Sequence, residues 1–325
     1  MDFFQILSDI EKVDPEVYDR FDSRRRVFKH MSGLGKKITA ATLPGLLSGL
    51  FSRAYGQSTT LPSIIADTLN LAFQLEHLEL FYYSQGITSN LFTGNDLNAI
   101  TIIRDDEQGH INALKAVLNT QVAITPVATD YDYTAGGKLN PFGSAANFLG
   151  TAQAFVDTGV RAYKGGAANL IGDTTSGKTI LTAALNIHSV EARHSSHIRS
   201  MRRALTSTGA INGNGTTVAG QEAGGTGNTL PKSWISLQDG GGPVPAVTAP
   251  VYAAGTDATN YPAESNVSQG SPAVNVQTGT TAPTGLTISA AAASEAFDEP
   301  LDAPAVKNIA RNFRSAAGVT KGLFA

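Results

Sequence analysis

The sequence predicts an all-α protein: a four-helix bundle with a long crossover between helices 2 and 3 and an irregular Gly/Thr/Ala-rich C-terminal extension. Three observations carry that prediction. Apolar residues recur at helical spacing in four stretches between residues 61 and 205. The segment Thr120–Ser144, with Pro126, Gly136, Gly137, Pro141 and Gly143, has no helical period and is far longer than an ordinary helix–helix turn. The pattern Glu-x-x-His occurs twice, as Glu107…His110 and Glu191…His194, in the second and fourth of those stretches.

Composition excludes several classes of function. A formal net charge of −3 over 325 residues leaves no electrostatic footprint for nucleic acid. Cysteine is absent, so thiolate chemistry is ruled out and any transition metal must be held by histidine and carboxylate. The apolar runs are too short for a membrane-spanning helix.

Residues 1–56 read as an export signal. Ser23-Arg24-Arg25-Arg26-Val27-Phe28-Lys29 is a basic cluster with an arginine pair, Ile38–Phe51 is mildly apolar, and Ala54-Tyr55-Gly56 offers small residues before a cleavage at Gln57. The arginine pair with Phe and Lys is similar to a twin-arginine signal. The competing reading is an amphipathic helix with a basic patch, and the long acidic lead Met1–Asp22 is unusual for a signal. An exported chain would be periplasmic or extracellular.

The bundle is expected within residues 57–206. Helix 1 runs from Leu61 to Tyr83, with Ile65, Leu69, Ala72, Glu76, Leu80 and Tyr83 on one stripe. Helix 2, about Asn95 to Asn119, carries Ile103, Glu107, His110, Ile111 and Leu114 on its apolar face. The crossover then has the length to return the chain to the other end of the bundle. Helix 3, about Ala145 to Lys164, aligns Ala152, Val156, Val160 and Tyr163, with Asp157 at the stripe's edge. Helix 4, Thr179 to Leu205, aligns Leu181, Ala184, Leu185, His188, Glu191, Ser195 and Ile198. A carboxylate on a buried stripe is costly unless it is paired or binds a cation. Residues i and i+3 of a helix share a face, so each Glu-x-x-His can address one point.

The candidate ligands are Glu76, Glu107, His110, Asp157, Glu191 and His194. One carboxylate from each of two helices, with a Glu-x-x-His from each of the other two, is the donor set of dinuclear carboxylate bundles. Hard oxygen with imidazole suits two iron or manganese ions and does not choose between them. Tyr83, two turns after Glu76, reads equally as a hydrogen-bond partner of a ligand and as a core tyrosine. Glu79 reads first as a solvated glutamate and second as an alternative ligand. His188 and His197 suit supporting or surface roles better than ligation. Arg193 and Asp106 are a candidate orienting ion pair.

Leu69-Asn70-Leu71-Ala72-Phe73-Gln74-Leu75-Glu76-His77-Leu78-Glu79, Phe81-Tyr82-Tyr83, Glu191-Ala192-Arg193-His194 and the late Ala296-Phe297-Asp298-Glu299-Pro300-Leu301 resemble exported ferritin-like proteins of the desiccation-related type. The resemblance covers 61–205 well and 250–315 loosely. It implies a dinuclear site working on a small oxidant, hydrogen peroxide or dioxygen, with peroxide disproportionation first and ferrous oxidation close behind. It also admits a homo-oligomer. Asp157 departs from the glutamate usual in such sites and is one methylene shorter. The alternative is a structural, stress-associated or surface-assembly protein using the bundle as a scaffold.

Gly172-Asp173-Thr174-Thr175-Ser176-Gly177-Lys178-Thr179 matches the letters of a phosphate-binding loop, but no buried strand precedes it, and a turn between helices 3 and 4 explains it. Residues 207–295 are too poor in apolar and charged residues for a conventional core, and are expected to be disordered or an irregular wrap on the bundle. Trp234, Val251-Tyr252 and Tyr261-Pro262 are the candidate anchors. Residues 296–325 regain helical character, with Val306, Ile309, Ala310 and Phe313 on one face.

Overall fold

The computed structural model describes residues 60–171, 175–205, 231–278 and 288–325. The export signal of residues 1–56 and the loop Gly172–Thr174 lie outside the described residues. Four long helices form the bundle: α1 Ser63–Thr88, α2 Gly94–Leu118, α3 Ala145–Gly166 and α4 Thr175–Ala204. Helix α1 packs mainly on α2, and α3 mainly on α4. Both α1 and α4 extend beyond their expected bounds. In α1 the added turns run to Thr88, where Thr88 and Ser89 hydroxyls bond the carbonyls of the last turn.

Hydrogen bonds to α1 trace the path of the crossover. Leu61 N donates to Gln121 Oε1 at 2.7 Å, which ties the end of α2 to the start of α1. Asn70 then accepts from Ala123 N at 2.8 Å, and the Tyr131 and Tyr133 hydroxyls donate to the carbonyls of Gln74 and Leu78 at 2.9 and 2.8 Å. Tyr82 donates to the carbonyl of Phe148, inside α3, at 2.8 Å. The chain therefore climbs α1 from its first turns to its last, and α3 starts there, antiparallel to α1. Ser144 caps α3 by accepting from Asn147 N at 3.1 Å.

The crossover and the C-terminus together cover the outer face of α1, so this helix is buried on nearly every side, polar Asn70, Gln74, Glu76 and Glu79 included. The last residues dock there: Phe324 N donates to Gln74 Oε1 at 2.7 Å, and Leu323 and Phe324 are fully buried. Above the site, Tyr82 stacks on Phe148 at 4.5 Å and meets Phe155 edge-on at 5.0 Å, in an aromatic plug that includes Tyr133 and Phe142.

The described part of the extension is an ordered wrap. It contains α5 Pro245–Tyr252, a two-residue hairpin β1 Ser268–Gln269 with β2 Val274–Asn275, and α6 Ala290–Ser294. Then follow α7 Ala303–Ala310 and α8 Ala316–Lys321, where a single helical segment was expected. The break comes at a tight turn, Arg311–Phe313, and an extended Arg314, which bridges back to Tyr131 in the crossover. Val251 and Tyr252 anchor the wrap as expected, but Trp234 does not: its side chain is 53% exposed. Its carbonyl accepts from Arg199 at 3.3 Å, and its indole bonds the Glu295 carboxylate.

Two buried arginines do most of the anchoring. Arg161 of α3 donates to the carbonyls of Val251, Ala253, Pro262, Glu299 and Pro300 and pairs with Glu264 at 2.8 Å. A guanidinium has five N–H donors in a fixed fork, so one side chain can gather several turns of irregular chain that has few apolar groups of its own. Arg199 of α4 pairs with Asp157 at 2.5 Å and with Asp239 of the extension at 3.0 Å. Gly165 makes the close approach possible, since a Cβ there would stand 1.8 Å from the carbonyl oxygen of Leu301.

Candidate metal centre

Glu76 from α1, Glu107 and His110 from α2, and Glu191 from α4 form a buried group. Each offers one ligand atom, and these atoms lie within 4.8 Å of one another. His110 Nδ1 is 3.1 Å from Glu76 Oε2, 3.0 Å from Glu107 Oε2 and 3.3 Å from Glu191 Oε1. His194, one turn beyond Glu191, places Nδ1 3.1 Å from Glu107 Oε1 and 3.8 Å from Glu191 Oε2. The two Glu-x-x-His units thus face each other across the bundle as their helical spacing requires, with imidazole centroids 6.2 Å apart.

The hydrogen bonding of this group is incomplete. One ring nitrogen can give its hydrogen to one acceptor, yet three carboxylates converge on His110 Nδ1. Both oxygens of Glu191, Oε1 of Glu107 and Nδ1 of His194 are buried without a hydrogen-bond partner. Buried polar atoms are ordinarily satisfied, and leaving them orphaned costs about 1–3 kcal/mol each. A cation would take up the lone pairs these atoms leave unused, so the group could hold metal ions.

Electrostatics show the same strain. Burial, only partly offset by His110, pushes the Glu76 carboxyl up to about 8. Burial and then the charges of Glu191, Glu107 and Glu76 push Glu79 well above the usual carboxylate range. Burial opposes charge on Glu107 as well, but the charge of His194 beside it and the hydrogen bond from His110 hold it below that range. For the His110 and His194 rings burial alone would lower the pKa; the Glu76 and Glu107 charges, respectively, with hydrogen bonds to nearby carboxylates, raise both well above the ordinary value.

Neighbouring groups hold the donors in place. Tyr163 of α3 donates to Glu76 Oε1, and Tyr83 donates to Glu79 Oε2 at 3.3 Å. His194 Nε2 is 3.1 Å from Asp106 Oδ2, so Asp106 orients the His194 ring directly. This replaces the expected pairing of Asp106 with Arg193, whose side chain is exposed. His188 bonds the Val160 carbonyl through Nδ1 at 3.1 Å, and His197 is exposed; neither approaches the group.

Asp157 is the expected ligand that the structure removes from the set. Its Oδ2 accepts from Arg199 at 2.5 Å and from the Tyr252 hydroxyl at 2.7 Å, and its Oδ1 from the Ser195 hydroxyl at 2.6 Å. Both oxygens are committed to a cation and two hydroxyls of the protein's own. On a helix already buried all round, Asp157 at the stripe's edge faces α4 and the extension, away from the centre. Glu79 was expected to be solvated and is 95% buried, beside the centre.

Residues 65–204 match a family model described as the ferritin-like domain, a span that takes in the four bundle helices. The chain matches no curated protein and no solved structure. The bundle of α1 to α4 is all-α and ferritin-like in fold, with a long crossover between its second and third helices. The chain carries a buried Glu/His group that could hold metal ions and a wrap bound to α3. Among the described residues, no helix is long and apolar enough to cross a membrane.

Proposed function

We propose that the chain is a dinuclear iron or manganese protein whose centre carries out redox chemistry on hydrogen peroxide or dioxygen, in protection against stress. The observation that carries this reading is the set of orphaned buried atoms on Glu107, Glu191 and His194, inside a doubled Glu-x-x-His arrangement. Glu76, Glu107, His110, Glu191 and His194 would hold the ions. Redox-active cations there would supply the electron transfers that carboxylates and imidazoles cannot perform themselves. The protein's own part is to fix the donors through Tyr163 and Asp106, and to keep bulk water out with the aromatic plug around Tyr82.

The experiment is to purify the protein without chelator, determine iron and manganese per chain, and follow oxygen release from peroxide. Near-stoichiometric metal that His110→Ala and His194→Ala abolish is the expected result. Metal well below one ion per chain, unchanged by either substitution, would sink the reading.

A second reading, a stress or surface-assembly protein with the bundle as scaffold, is favoured by the deep attachment of the wrap through Arg161 and Arg199. Full metal loading without turnover would support it. Export to the periplasm or beyond belongs to the same proposal and rests on the arginine pair and apolar stretch within residues 20–56. Cell fractionation with Arg24 and Arg25 replaced by Lys tests it; retention of the substituted chain inside the cell is expected.

A further inference from the structure

We propose that Glu79 supplies the carboxylate that helix α3 does not, so that α1 alone furnishes both single carboxylates of the centre. The inference rests on the dinuclear reading above and concerns which residues complete it.

The geometry at α3 is the starting point. Where α3 passes the centre its residue is Gly159, and a Cβ built there would lie 3.3 Å from Glu191 Oε2 and 3.5 Å from Glu79 Oε1. The backbone of α3 thus presses against two carboxylate oxygens, one from α4 and one from α1, and has no side chain to add. The one acid on this part of α3, Asp157, is taken by Arg199, Ser195 and Tyr252.

Glu79 is placed to fill the gap. It lies three residues after Glu76, on the same face of α1. Its Oε2 is steadied by the Tyr83 hydroxyl, as Glu76 is by Tyr163, which leaves Oε1 beside Glu191 and Gly159. Both oxygens of Glu191 are buried without a hydrogen-bond partner, and one of them, Oε2, approaches the same Gly159 position as Glu79 Oε1.

Charge balance points the same way. Glu76, Glu79, Glu107 and Glu191 are four buried carboxylates, and with both histidines neutral they would carry four negative charges. Two divalent cations neutralise four charges.

The test is the manganese content of the full chain, loaded with Mn(II) and desalted, with the electron paramagnetic resonance spectrum read for coupling between two ions. Wild type is expected to retain two coupled ions and Glu79→Gln one uncoupled ion, with Asp157→Asn still retaining two. Gly159→Ala, which crowds Glu191 Oε2, is expected to weaken the second ion as well, and circular dichroism checks that each variant folds. Glu79→Gln retaining two coupled ions at wild-type affinity would overturn the inference and leave the dinuclear reading intact. Wild type retaining no manganese or iron would overturn the dinuclear reading itself. Wild type retaining one ion, kept by Glu79→Gln, would also remove Glu79 from the ligand set.

Discussion

Helices α1 and α3 occupy equivalent places in the bundle, since neither carries a Glu-x-x-His, but their buried polar residues serve different ends. Helix α1 turns Glu76 and Glu79 toward the centre. Helix α3 gives the centre only the Tyr163 hydroxyl and the bare backbone of Gly159, while Gln153, Asp157 and Arg161 bind the wrap and its anchors. In the reading proposed above, the acids of α1 serve a metal ion and the acid of α3 serves a buried arginine.

The sharpest way to break this contrast is at Arg161. Arg161→Met removes the partner of Glu264 and of five carbonyls, and breaking a buried pair of this kind costs about 3–5 kcal/mol. Denaturant unfolding should show a loss of that size and limited proteolysis should show cleavage within 231–278, with metal per folded chain unchanged. A fall in bound metal equal to that of His110→Ala would mean the two helices are not separable in this way.

Asp157→Asn should cost somewhat less, about 2–3 kcal/mol, because Arg199 keeps Asp239 at 3.0 Å. Thermal unfolding measures it, and an unshifted midpoint would contradict the role assigned to Asp157. Gly165→Ala tests the same attachment by steric means. Its Cβ would meet the Leu301 carbonyl, and overpacking of this kind costs about 1–3 kcal/mol. A stability equal to wild type would show that the strand at Leu301 is free to move away.

The remaining prediction belongs to α1. Without metal, the carboxyl of Glu76 is protonated up to about pH 8, against an ordinary value of 4.5. A folded-state pKa raised above the unfolded one gives stability that is complete below about 4.5 and is lost as pH rises to about 8. The raised values of Glu79, His110 and His194 act in the same direction, whereas the stability from the depressed Glu107 is already present above its ordinary value. Metal-stripped protein should therefore melt lower at pH 8 than at pH 5.5. Metal uptake should release protons and tighten with rising pH. Affinity independent of pH between 5.5 and 8 would mean that these groups are not the ligands.

The contrast also explains what could be read from the sequence. The four helices, the crossover and both Glu-x-x-His units follow from periodicity, which is a property of each helix alone. The surroundings of Asp157 and Glu79 were not legible because they come from distant parts of the chain. Tyr252 and Asp239, which complete the Asp157 network, lie in a stretch whose composition announces no core. Glu79 lies one turn after Glu76 on the same inner face, and its burial comes from α3 and α4, which bring Gly159 and Glu191 against it. Arg161 gave no signal at all, since an arginine late in a helix ordinarily reaches solvent.

The most direct test of the account is a crystal structure of the manganese-loaded protein with anomalous scattering collected at the manganese edge. The account predicts density between α1, α2 and α4, ligated by Glu76, Glu107, His110 and Glu191, with His194 and Glu79 on the second ion and Asp157 still bound to Arg199. Density ligated by Asp157, or manganese found only at the surface, would contradict it.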